Sequence, residues 1–224
     1  MTYNVNVLGF LFSSDDHLFR IKKAEKIHKL WKTSILLILF SIVVYTWMAM
    51  LGIGTDMISQ SAVQGSQLEY EQSKFWFIIG RMAYAVLFAC IILFLPSLLF
   101  YLLTGIPYRK LLIMQQIVLF VMLIERIIWI PLVTFIGLDW YVSPLSFGII
   151  ASYLTEVPWV IYFFGAITIF QLAIIWFQVK YLNMFSSIRK RWIWVNVIGL
   201  HFLFWIVAAL LAYADTYIVS GWFA

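Results

Sequence analysis

The residues with the greatest chemical potential in this chain are two adjacent charges, Glu125 and Arg126, near the middle of a long apolar run. An ionised side chain at bilayer depth is costly and is normally paired or turned towards a bundle interior. Neighbours in sequence stand about 100° apart on a helix, so these two do not simply face each other. At least one of them needs a partner on another helix, and Arg81 in the preceding apolar run is a candidate. Gln171 and Gln178 are seven apart, hence on one helical face, and Asn196 and His201 follow in the last apolar run. Together these side chains suit either of two chemistries. One is the proton relay or polar cavity of a small proton-coupled transporter or permease. The other is interhelical hydrogen bonding that fixes a bundle or a contact with a partner.

Enzyme signatures are absent. The chain has no HExxH, no GxSxG, no P-loop and no clustered Cys/His set. His17, His28 and His201 are scattered, and the lone Cys90 rules out an intrachain disulfide. Ser13 and Ser14 before Asp15 and Asp16 read as a helix cap. No catalytic residue, metal or cofactor is expected, and any ATP-driven role must draw on a partner.

The elements that position these groups follow from composition. The 224 residues are 64% apolar and only 11% charged, where a globular domain carries about 25% charged residues. An all-α polytopic membrane protein is expected. A spanning helix needs about 20 apolar residues, and five runs qualify: residues 34–51, 75–103, 111–137, 158–183 and 192–213. Pro96 is positioned to kink the second. The domain plan is a cytoplasmic segment (1–33), a five-helix membrane domain (34–213) and an extracytoplasmic tail (214–224). The first run begins too late, and is too long, for a cleavable signal peptide.

Charge orients this plan. Of 15 Lys and Arg residues, six precede the first run (Arg20, Lys22, Lys23, Lys26, Lys29, Lys32). Arg109 and Lys110 follow the second run, and Lys180, Arg189, Lys190 and Arg191 surround the turn after the fourth. The connections 52–74 and 138–157 and the tail are acidic. Cytoplasmic loops carry excess Lys and Arg, so the N-terminus is expected inside and the C-terminus outside. The net charge of +5 then points to membrane lipids and not to nucleic acid. Residues 16–32 read as a basic amphipathic helix on the membrane surface, with Lys22, Lys26, Lys29 and Lys32 on one face. Residues 140–155, broken by Pro144 and Gly148, read as an interfacial or re-entrant piece. Trp31, Trp47, Trp76, Trp140, Trp159, Trp192 and Trp194 fall near run ends, at headgroup depth. Ala85 with Ala89, and Ala208 with Ala212, permit close helix approach.

This pattern resembles the Ypt-interacting-protein (YIP) domain family from about residue 11 to 213. The resemblance rests on the N-terminal segment, five spans, the short basic turn after the second and the broken loop before the fourth. Pro158-Trp159, then Gly165-Ala166-Ile167-Thr168-Ile169-Phe170, then Ile175-Trp176 look like the bacterial members' fourth span. The Asp-Leu-Tyr-Gly-Pro motif of eukaryotic members is absent, which sets GTPase binding aside. The bacterial branch implies a non-catalytic accessory or scaffold role in a plasma membrane. Its partners would be the ATPase, permease and membrane-fusion subunits of an ABC-type exporter, or an envelope-stress or toxin-resistance system. A lipid-binding, membrane-organising role is a further expectation, carried by the basic segment.

Overall fold

In a computed structural model, the described residues are 2–55, 67–214 and 216. Asp56 of the acidic connection, and Asp215 with nearly all of the tail, lie outside them. The build is all-α apart from one short strand pair. In chain order the elements are β1 (Thr2–Asn4), α1 (Val7–Phe12), α2 (Ser14–Lys23), β2 (Lys26–His28), α3 (Leu30–Met50), α4 (Gln67–Thr104) and α5 (Tyr108–Ile136). A 3-10 turn (Trp140–Val142), α6 (Gly148–Leu154), α7 (Pro158–Gly165), α8 (Ile169–Phe185) and α9 (Lys190–Ala214) follow. Four of these, α3, α4, α5 and α9, are long and apolar enough to cross a membrane. Their bounds track four of the apolar runs closely. Gly105 and Gly137 end α4 and α5 at φ of 68° and 70°, the left-handed conformation that glycine adopts freely after a helix.

The fourth run departs from expectation. It is not one continuous helix over 158–183 but two, α7 and α8, separated at Ala166–Thr168. The cause lies in the preceding loop. Phe147 N–H donates to the Ile167 carbonyl (3.0 Å) and Ile169 N–H to the Leu145 carbonyl (3.0 Å), so Ser146 and Thr168 form an antiparallel bridge. Residues 140–155 are therefore a packed piece: α6 and the 3-10 turn lie against α7. Pro96 does not stop α4, and Ser97 Oγ donates to the Leu93 carbonyl (2.6 Å).

A second correction concerns the basic segment. The helix expected over 16–32 ends at Lys23, and Lys26–His28 instead pairs in parallel with Thr2–Asn4. Lys29 then turns at φ 63° before α3 begins. Lys22, Lys26, Lys29 and Lys32 thus lie on a helix, a strand, a turn and a second helix, and share no single helical face. The expected serine cap also differs, since Ser13 Oγ donates back to the Gly9 carbonyl.

The chain divides into two compact units. The first comprises Met1–Ser41, Val86–Ile124 and Phe170–His201, and the second Ile42–Ala85, Glu125–Ile169 and Phe202–Ala224. All twelve clustered basic residues belong to the first, against three Asp and Glu; the second holds Lys74, Arg81 and Arg126 against seven.

Within the first unit, the N-terminal piece is docked and not loose. Asp15 pairs with Lys180 on α8 at 2.6 Å, and Lys110 Nζ donates to the Lys22 carbonyl. Phe10 packs edge-on to Phe177 with ring centres 5.5 Å apart. Tyr3 hydrogen-bonds His17 Nδ1 at 2.9 Å, and burial pushes its hydroxyl pKa up to about 12. Tyr3 therefore stays neutral and keeps that bond at physiological pH.

Candidate functional site

Arg81, Glu125 and Arg126 all belong to the second unit. Both charges of the central pair are half-buried, and each finds a partner on a different element. The Arg126 guanidinium lies in the electrostatic field of the Tyr45 hydroxyl on α3 and 5.7 Å from the Trp129 ring centre. Tyr45 is in turn edge-on to Tyr84 of α4, ring centres 5.4 Å apart. The Glu125 carboxylate lies close to the Thr168 hydroxyl at the α7–α8 break, and Arg126 lies within its electrostatic reach. Arg81 Nη2 donates to the Ile53 carbonyl (3.3 Å), lies over the Phe77 ring and also acts on the Tyr45 hydroxyl. One tyrosine thus sits in the field of two guanidiniums, with one carboxylate tied to a helix break.

The other four residues belong to the first unit. His201 is buried, and in its Nε2–H tautomer donates to Gln178 Oε1 at 2.9 Å, joining α9 to α8. Gln171 is half-buried two turns before Gln178. Asn196 is half-buried on α9. The seven residues are thus distributed over two units. Among the described residues, no group of three or more His, Cys, Asp and Glu gathers that could hold a metal ion.

Sequence reasoning passed over Tyr45, Thr168 and the amide pair Gln115-Gln116. The amides were detectable, being polar residues in an apolar run. Both are completely buried in α5. Gln116 Nε2 donates to the Leu30 carbonyl (2.8 Å) and to Ser34 Oγ (2.8 Å), which ties α5 to the start of α3. Neither amide atom of Gln115 has a partner among the described residues. An unsatisfied buried polar group costs about 1–3 kcal/mol, whereas an apolar isostere avoids that cost. Gln115→Leu is therefore expected to raise the thermal midpoint in detergent and Gln116→Leu to lower it. Shifts of the same sign would refute the assignment.

Compared with known proteins, the chain matches no family model, no curated protein and no solved structure.

Proposed function

We propose that the chain is a five-span membrane protein, N-terminus inside and C-terminus outside, acting as a non-catalytic accessory subunit. The carrying observation is that its intramembrane charges are engaged within the chain. Arg126 is occupied by Tyr45, Glu125 by Thr168 and Arg81 by the Ile53 carbonyl. Groups engaged in this way hold a fold together, and the outward faces are left to do the work. The concentration of Lys and Arg in one compact unit supports the orientation. The fifth span is the α7–α8 pair, whose broken backbone is supported by the 143–147 loop. The resemblance to bacterial YIP proteins suggests the partners: the ATPase, permease and membrane-fusion subunits of an exporter in a bacterial plasma membrane. Cross-linking in cells, mild-detergent purification and mass spectrometry test this. Specific recovery of such subunits is expected, and repeated recovery of the chain alone would overturn the reading.

The α7–α8 break favours a second reading. Discontinuous spanning helices frame substrate and ion sites in transporters, and Glu125 meets that break through Thr168. A small proton-coupled permease would show liposome flux that Glu125→Gln abolishes while leaving folding intact.

A further inference from the structure

One cleft brings unpaired cations together from separate parts of the chain. It measures about 240 Å³ and is lined by His28, Lys29, Trp31, Lys32 and Arg109, with Ile27 and Leu30 and without any carboxylate. Lys29, Lys32 and Arg109 are exposed and form no ion pair with a described residue. Of the three acids in the same unit, Asp15 is held by Lys180 and Asp16 by Arg20. The third, Glu25, does not line the cleft.

The framework of the cleft is built. Lys29 holds a left-handed φ of 63°, a conformation unfavourable for a lysine. Its carbonyl accepts from both the N–H and the hydroxyl of Thr33, each at 2.9 Å. The next carbonyl, Leu30, accepts from the buried Gln116 amide on α5. The same helix begins at Tyr108 and carries Arg109. The turn bearing Lys29 and the start of α3 bearing Lys32 are thus fixed to the helix bearing Arg109.

The depth of the cleft narrows its ligand. It lies where α3 and α5, both long and apolar enough to cross a membrane, begin. Trp31, 59% exposed, stands at its edge, and amphipathic indoles sit at headgroup level. Guanidinium and ammonium groups that line one cleft without a counter-charge suit a phosphate. The geometry points to a discrete site for the phosphate of an anionic phospholipid headgroup, held by Lys29, Lys32 and Arg109. This goes beyond a general basic surface, because Lys22 and Lys26 do not line the cleft. It holds whether the chain is an accessory subunit or a permease.

Native mass spectrometry of the full chain in neutral detergent tests the site, with short-chain phosphatidylglycerol as the probe. Phosphatidylcholine controls for lipid binding in general, and glycerol phosphate for a soluble phosphate ester. A phosphatidylglycerol adduct is expected in preference to phosphatidylcholine. Lys29→Gly/Lys32→Gln/Arg109→Gln should weaken it about tenfold or more, as expected on losing charge-assisted contacts. Glycine suits the positive φ, so this variant is expected to fold. Lys22→Gln/Lys26→Gln/Lys190→Gln removes the same charge elsewhere and should leave the adduct intact. Equal losses in the two variants would overturn the proposal in favour of diffuse attraction. Glycerol phosphate displacing phosphatidylglycerol at equal concentration would overturn the lipid assignment.

Discussion

Gly148→Ala is expected to remove most of the folded protein. A Cβ at this position would run into the Tyr141 carbonyl oxygen and stand 2.8 Å from the Gly165 Cα. Both obstacles are backbone, so no side-chain rotation relieves them. Tyr141 is itself held: its carbonyl accepts from Ser146 Oγ (3.3 Å) and its hydroxyl donates to Asp139 (2.9 Å). Its ring meets Tyr162 of α7 edge-on at 4.8 Å. Overpacking a core costs about 1–3 kcal/mol when side chains can adjust, and a backbone obstacle belongs at or above the top of that range. That is a large share of the roughly 5–15 kcal/mol that holds a domain together. Gly165→Ala meets Tyr141 Cβ and Cα at 2.6 and 2.7 Å and should behave similarly. Gly199 provides the control. It lies inside α9 with nothing within 4 Å, so Gly199→Ala should hold or raise stability through helix propensity. Fluorescence-detected gel filtration and thermal midpoints in detergent read all three. A Gly148→Ala profile matching the parent would refute the close packing of the 140–165 piece.

That piece also shows where sequence reasoning stopped. Hydropathy located α3, α4, α5 and α9, because burial in lipid imposes a length and an apolar composition that can be counted. It did not register the break at Ala166–Thr168. Gly165-Ala166-Ile167-Thr168-Ile169 is apolar enough to continue a span, and the break depends on hydrogen bonds from Leu145 and Phe147, about twenty residues away. The surplus of helix over 24–29 has the same origin. Lys26–His28 has no local reason to leave the helix, and its strand partner is Thr2–Asn4 at the start of the chain. In both places a long-range backbone pairing overrode a local propensity. Glu125 and Arg126 were legible because charges are conspicuous in an apolar run. Their partners were not, since a tyrosine such as Tyr45 reads as span or interface and Thr168 as a small tolerated residue. Gln178 and His201 do meet, but a period of seven could not identify which residue of another helix would face them.

Arg126→Leu carries the second large effect. Glu125 and Arg126 form no salt bridge but lie within each other's electrostatic reach, so removing the guanidinium leaves a half-buried carboxylate less compensated, at up to about 3 kcal/mol, the low end for a broken buried pair. Here the group left behind is Glu125, close to the Thr168 hydroxyl, while the Tyr45 hydroxyl loses a neighbouring positive charge. Arg126→Lys keeps the charge but loses the planar fork and its position near Trp129, so an intermediate loss is expected. The informative variant is Glu125→Leu/Arg126→Leu. Replacing two coupled charges in an apolar setting by apolar residues is often neutral, so the double variant should recover much of the midpoint lost by Arg126→Leu alone. A double variant no more stable than the single would show that the two charges are not coupled. The same pair separates the two functional readings. A recovered double variant that still associates with the proposed exporter subunits assigns Glu125 and Arg126 to bundle integrity. One that folds but loses a flux present in the parent assigns the carboxylate at the α7–α8 break to transport.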